Sequence, residues 1–145
     1  MRNIDLKKEK QKIINFIKTY FKNADFSKGI IGLSGGVDSS LVTYLTVEAL
    51  EKENVIGVLM PYKTSMDDSF DDGKLVAEKL GIKYYVREIT PMVDAYYDTY
   101  EPDADRLRKG NMKARARMCT IYDLAARNMH WYLEQATKQN FISAI

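Results

Sequence analysis

Gly29-Ile30-Ile31-Gly32-Leu33-Ser34-Gly35-Gly36-Val37-Asp38-Ser39-Ser40 changes character twice within twelve residues. It begins as an apolar run without polar alternation, the pattern of a strand buried on both faces. It then crosses two adjacent glycines, which let a backbone turn sharply and approach a ligand closely. From residue 37 to 52 the apolar residues recur at helical spacing, with Val37, Leu41, Tyr44, Leu45 and Ala49 on one side. A strand, a tight turn and a helix in immediate succession open a βα unit.

The same alternation continues downstream. Asn54 to Met60 is a second apolar strand, stopped by Pro61. Residues 67–80 read as a helix, opened by acids and closed at Leu80-Gly81, with glycine at the expected exit. Ile82 to Ile89 is a third strand, rich in β-branched and aromatic residues. Pro91 can start a short aromatic segment over 91–100, and 103–128 read as mainly helical. Upstream, residues 4–22 form a helix with one apolar stripe, carrying Ile4, Ile13, Ile14, Ile17, Tyr20 and Phe21 between lysines. One helix followed by three strand–helix pairs predicts an α/β fold: a doubly wound, mostly parallel sheet with helices on both faces. Ligands of such sheets sit beyond the C-terminal ends of the strands.

The chain has 145 residues, 22 Lys+Arg against 20 Asp+Glu, one His and one Cys. This length predicts one domain, and no linker or repeat divides it. A net charge of +2 makes no case for nucleic-acid or membrane binding. No apolar run approaches the roughly 20 residues that span a bilayer. Met1 to Lys12 lacks the apolar core of a secretory signal, and a lone cysteine, Cys119, fits a reducing compartment, so a cytoplasmic location is expected.

The turn itself carries chemistry. A helix N-terminus offers unpaired N–H groups and a positive dipole end, and with a glycine turn these make an anion cradle. The hydroxyls of Ser34, Ser39 and Ser40 add donors. Asp38 has the wrong sign for phosphate alone, and its carboxylate makes sense with a divalent cation such as Mg²⁺ between. A helix cap needs only one such residue; here two glycines, an acid and three serines fall within seven positions. No Gly-Lys-Ser/Thr follows, so this is not a Walker A loop. The octet from Leu33 to Ser40 resembles the PP-loop of the ATP pyrophosphatases. That resemblance implies an adenine nucleotide alpha hydrolase-like fold and ATP binding at Gly32, Leu33, Ser34, Gly35, Gly36, Val37, Asp38, Ser39 and Ser40. It also implies Mg²⁺ at Asp38, and cleavage of ATP between its α- and β-phosphates.

Met60 ends the second strand, where backbone groups can read an adenine edge; its side chain reads equally as a base contact and as core. Asp67, Asp68, Asp71 and Asp72 read as the acidic first turn of a helix rather than a metal cluster. Asp103 to Arg117 holds six basic and two acidic residues. Asn111 and Arg115 lie four apart on one helix face and can bind a phosphate or a polar ring group, with Tyr122 on nearly the same side. Composition alone reads this segment as a solvated basic face.

The ordered set Ser-Gly-Gly-Val-Asp-Ser, Met60-Pro61-Tyr62, Thr90-Pro91-Met92-Val93-Asp94-Ala95-Tyr96 and Gly110-Asn111 through Arg115 to Met118 resembles NAD synthetase, most nearly the small ammonia-using form. The resemblance spans residues 1 to about 128. It implies that ATP activates deamido-NAD, that ammonia displaces AMP, and that the enzyme is a homodimer. It implies deamido-NAD contacts at Asn111, Arg115 and Tyr122. It requires no covalent nucleophile; Cys119 and His130 read as incidental. Other PP-loop adenylating enzymes, such as tRNA-thiolation enzymes, and a non-catalytic ATP-binding module are the alternative readings.

After Arg127 the resemblance stops. The family continues with an apolar strand and a Leu-Gly-Thr-Gly-Asn-Lys-Thr/Ser-Glu turn that serves ATP and metal. Met129 and Trp131 have single codons, and reading two bases later from Met129 forces Ala-Leu-Val and then permits that turn in order. Residues 129–145 are therefore expected to be a frameshifted, non-native tail, leaving the sheet incomplete, ATP binding weak and NAD synthesis slight. The tail is expected either to pair beside the first strand through Trp131 and Tyr132 or to extend the preceding helix through Gln139.

Overall fold

The computed structural model describes residues 4–63 and 68–133. Helix α1 (Leu6–Asn23) leads into strand β1 (Gly29–Gly32) and helix α2 (Val37–Leu50). A 3-10 turn, Lys52–Asn54, precedes strand β2 (Val55–Leu59). Helix α3 (Asp68–Leu80), strand β3 (Lys83–Val86), helices α4 (Thr90–Tyr100) and α5 (Arg106–Asn128), and a two-residue strand β4 (Trp131–Tyr132) follow. Asp5 caps α1 by accepting from the Lys7 and Lys8 N–H groups, and Asp105 caps α5 through Arg108. At the exit of α3 Gly81 takes φ +69°, while Ile82 N–H bonds Ala77 O at 3.1 Å, as the glycine predicts.

The strands form one sheet in the order β3-β2-β1-β4, every neighbouring pair parallel. Helices cover both faces, as the alternation of elements predicts. Ile31, Val55 and Leu59 join Ile14, Ile17 and Phe21 of α1, Leu45 of α2 and Ala77 of α3 on one side. Ile30, Ile56 and Val58 meet Ile121, Leu124 and Ala125 of α5 on the other. The period of two along each strand sends successive side chains into these two cores. The third strand, Lys83–Val86, is shorter than Ile82–Ile89, although beyond it Arg87 N–H still bonds Leu59 O at 2.8 Å and Ile89 N–H bonds Pro61 O at 2.9 Å before α4 begins. Among the described residues no helix is long and apolar enough to cross a membrane.

The apolar stripe expected on α2 packs only in part: Leu45 is buried and Ala49 packs against the same core. Val37, Leu41 and Tyr44 are exposed, Val37 at 84%. The buried face is Ser39, Thr43 and Thr46, with Leu45. The Thr43 and Thr46 hydroxyls donate to the carbonyls of Ser39 and Val42, both at 2.7 Å, so small polar side chains satisfy themselves and let the helix approach the sheet closely.

At the other end, α5 stops at Asn128, with Met129 at φ +54° and His130 N–H bonding Ala125 O at 2.9 Å. The chain then pairs beside β1, Trp131 opposite Gly29 and Tyr132 opposite Ile30. Of the two conformations expected for the tail, the strand is the one formed. Leu133 is buried in the α1–α2 core, and Trp131 packs on Phe26 with ring centroids 5.0 Å apart. Residues 134–145, through which a helical tail would have run, lie outside the described residues.

Candidate functional site

The sheet winds from β1 to β2 to β3 in one direction and returns to β4 on the other side of β1. The C-terminal end of β1 is thus the switch point of the fold, where ligand crevices form. A cavity of about 610 Å³ opens there. Gly32, Leu33 and Ser34 line it from β1, Leu59, Met60 and Pro61 from β2, Ser69 and Phe70 from α3, and Arg115, Arg117, Met118 and Ile121 from α5.

The glycine–serine turn forms one rim. Gly35 takes φ +77°, and a Cβ built on it would lie 2.2 Å from the Ser69 carbonyl oxygen. Only glycine fits there. Gly36 is the extended N-cap of α2, and the first intrahelical bond runs from Ser40 N–H to Gly36 O at 3.0 Å. The N–H groups of α2 before Ser40 therefore have no carbonyl within the helix to bond, and the positive dipole end lies behind the turn.

The hydroxyls divide their work differently from the sequence expectation. Ser39, 5% exposed, accepts from Ser34 N–H at 3.2 Å and lies 3.4 Å from Gly32 O as a donor. Ser40 donates to Gly36 O at 2.9 Å. Both hydroxyl protons are committed to holding the turn. Ser34 Oγ, which accepts from Gly36 N–H at 3.4 Å, is the exposed hydroxyl at the cavity. Val37 contributes backbone only, its side chain facing solvent.

Asp38 lies exposed in the first turn of α2. No group of three His, Cys, Asp or Glu side chains able to hold a metal occurs among the described residues. One carboxylate beside a phosphate cradle matches Mg²⁺, which takes one or two carboxylates and completes its shell with substrate phosphates and water. Asp71 and Asp72 are exposed at the start of α3; Asp67 and the Asp68 side chain lie outside the described residues.

Met60 packs as core and also lines the cavity. Its Cε packs 3.4 Å from where a Gly32 Cβ would be. Its carbonyl accepts the Nε–H of Arg117 at 3.0 Å. The strand exit beyond it is braced: Tyr62 hydroxyl donates to Asp94 Oδ1 at 2.5 Å, and Lys63 Nζ pairs with Asp94 Oδ2 at 2.8 Å. Lys63 above all, then Tyr62, holds the Asp94 carboxyl below its ordinary range. Lys113 Nζ sits 3.9 Å from the centre of the Tyr62 ring.

The basic helix divides by face. Arg115 reaches the cavity, and its Nη1 lies 3.6 Å from Met118 Sδ. Asn111 and Tyr122 are exposed and do not line the cavity; Tyr122 packs edge-on against Tyr132, 5.3 Å between centroids. Arg117 and the first turn of α3 are among the cavity residues that sequence reasoning missed. Arg117 sits in the basic run, but spacing along one helix cannot show which arginine turns toward another strand.

Comparisons with known proteins agree with this geometry. The family model described as NAD synthase matches residues 9–141. The chain is 46% identical over 125 residues to an NH(3)-dependent NAD(+) synthetase of Fusobacterium nucleatum, covering 86% of this chain and 48% of that one. It is 45% identical over 116 residues to the enzyme of the same name from Chlorobaculum tepidum, covering 80% of this chain and 42% of that one. The NH3-dependent NAD synthetase of Campylobacter jejuni, solved with nitrate ion, superposes with TM-score 0.85 at 33% identity, over 93% of this chain and 58% of that one. The glutamine-dependent NAD+ synthetase of Acinetobacter baumannii, solved with ADP, superposes with TM-score 0.83 at 27% identity, over 93% of this chain and 26% of that one. The chain spans about half the length of the curated relatives it matches.

Proposed function

This chain belongs to the NAD synthase family, and from that premise we propose that it carries the nucleotide-binding part of an ATP-dependent amidation of deamido-NAD to NAD with ammonia. The observation behind the reading is the glycine–serine turn between β1 and α2, opening onto a cavity at the strand switch point with Arg115 in its far wall. The nicotinate carboxylate of deamido-NAD attacks the α-phosphorus of ATP, and pyrophosphate leaves. Ammonia then attacks the acyl carbon, gives up a proton, and AMP departs.

The residues divide the work. The backbone of Gly32 through Ser40 and the N-terminus of α2 face the phosphates, opposing the charge that grows on the leaving pyrophosphate. Met60 packs against the adenine. Arg115 meets the acceptor from inside the cavity, and Asn111 and Tyr122 meet it from the exposed face of α5. Asp38 would hold Mg²⁺, which when bound neutralises charge on the phosphate oxygens. The exposed apolar side chains of Tyr96, Tyr100 and Leu107 on α4 and α5 support pairing with a second copy of the chain. The single free cysteine, Cys119, supports a reducing, cytoplasmic setting.

The test is incubation of the purified chain with ATP, Mg²⁺, deamido-NAD and ammonia. Pyrophosphate that appears only when deamido-NAD is present supports the reading. ATP bound without turnover restricts this chain to nucleotide binding. No ATP binding at millimolar concentration refutes it.

A further inference from the structure

Arg117, in the cavity wall, has no carboxylate partner among the described residues. Arg117 is half buried, in contrast to the exposed Arg115 two residues before it. Around it the cavity is lined largely by apolar side chains, among them Leu59, Phe70 and Ile121. The Nε–H of Arg117 donates to Met60 O at 3.0 Å. No carboxylate among the described residues forms an ion pair with it, and its terminal Nη atoms make no hydrogen bond to a described residue. Burial alone perturbs its pKa, downward, with no neighbouring charge acting against it.

A guanidinium carries five N–H donors in a planar fork and stays protonated. One donor is used on Met60. The remaining ones belong to a residue that lines the cavity, with no carboxylate among the described residues to neutralise them. A purine or a sugar hydroxyl can accept a hydrogen bond but cannot cancel the charge. A phosphate or carboxylate does both, and matches the fork bidentately. The bond to Met60 also fixes the side chain, so the donors are aimed before any ligand arrives.

Building on the nucleotide reading above, we infer that Arg117 is the fixed oxyanion receptor of the cavity. It anchors itself to the β2 carbonyl through Nε and takes a ligand oxyanion on its two Nη groups. Two components of the reaction carry that chemistry: the polyphosphate of ATP, and the phosphates or carboxylate of the acceptor dinucleotide.

Titration calorimetry on the purified chain, on Arg117→Gln and on Arg117→Lys separates them, using tripolyphosphate, ATP, deamido-NAD and adenosine as probes. Loss of one charge-assisted, bidentate contact is expected to weaken oxyanion binding by about 10–100-fold in Arg117→Gln. Adenosine binding stays unchanged, and Arg117→Lys, which keeps the charge but not the fork, recovers only part of the loss. A loss for tripolyphosphate and ATP alone assigns the oxyanion to the polyphosphate; a loss for deamido-NAD alone assigns it to the acceptor. Equal affinities of wild type and both variants for every oxyanion overturn the inference, even with lowered melting temperatures, because that outcome makes Arg117 a structural brace. Failure of the wild type to bind any of the three oxyanions also overturns it. Circular dichroism confirms that each variant is folded, and Arg117→Lys decides the question if Arg117→Gln is not. Arg117-dependent tripolyphosphate binding without ATP binding would keep the inference and remove the nucleotide reading. ATP binding by the wild type, with the binding of all three oxyanions indifferent to both variants, would do the reverse.

Discussion

The carbonyl oxygen of Ser69 lies 2.2 Å from where a Cβ on Gly35 would stand, so the phosphate turn and the first turn of α3 are packed backbone against backbone. Gly35 also holds φ +77°. Alanine there meets both a clash and a disfavoured conformation. Gly35→Ala is expected to lower stability by about 1–3 kcal/mol, read as a shift of the urea midpoint, and to weaken ATP binding. An unchanged midpoint would show that the turn and α3 do not hold this contact in solution.

Ser39 ties the turn to the end of β1 through Ser34 N–H and Gly32 O. Ser39→Ala is expected to cost about 1–3 kcal/mol by leaving a buried donor unsatisfied. Because the Ser34 hydroxyl only accepts within the turn and its proton stays available to a ligand, Ser34→Ala is expected to weaken ATP binding with little loss of stability. The pair of variants, compared by melting temperature and by ATP titration, distinguishes a scaffold serine from a ligand serine.

Leu133, 4% exposed, sits in the core shared with α1 and α2, and its N–H bonds Ile30 O at 3.2 Å. Leu133→Ala is expected to destabilise the fold by about 2–5 kcal/mol. Trp131, the single tryptophan, reports the same event: its emission should be blue-shifted in the native chain and move red at the unfolding midpoint. A solvent-exposed emission in the native chain would mean that β4 does not dock.

Acid should weaken the fold in two stages. Burial lowers the His130 pKa, with Lys28 and Lys83 adding to it and the Asn128 carbonyl opposing. A group lowered in the folded state favours folding above its unfolded value, about 6.5 here, and the contribution is lost as pH falls through the folded value. Asp94, lowered by Lys63 and then Tyr62, behaves likewise below about 3.9. Urea midpoints measured from roughly pH 8 to pH 3 should fall in both windows. His130→Gln should flatten the first and Asp94→Asn the second.

The DNA encoding residues 129 onward is expected, in the frame two bases later, to read Ala-Leu-Val and continue through Leu-Gly-Thr-Gly-Asn-Lys. Sequencing across that point checks it, and a frame without Gly-Thr-Gly-Asn discards the idea that residues 129–145 are out of register with the family.

Sequence by itself was enough for the order of elements, the parallel sheet and the glycine–serine turn. Buried parallel strands, glycine pairs and helix exits impose local requirements that few other residues meet. Three of the residues it singled out, Ser34, Met60 and Arg115, line one cavity. It misjudged part of the buried side of α2: hydrophobic spacing points to Val37, Leu41 and Tyr44, which are exposed, while Thr43 and Thr46, bonded back to the Ser39 and Val42 carbonyls, are buried beside Leu45. Tertiary structure alone decided that Ser39 is scaffold, that Trp131 and Tyr132 pair with β1, and that Arg117 reaches Met60 across 57 residues. Those outcomes depend on which groups meet between elements distant in the chain. Local periodicity carries no information about such meetings, and burial and hydrogen bonding settle them only once the elements have packed.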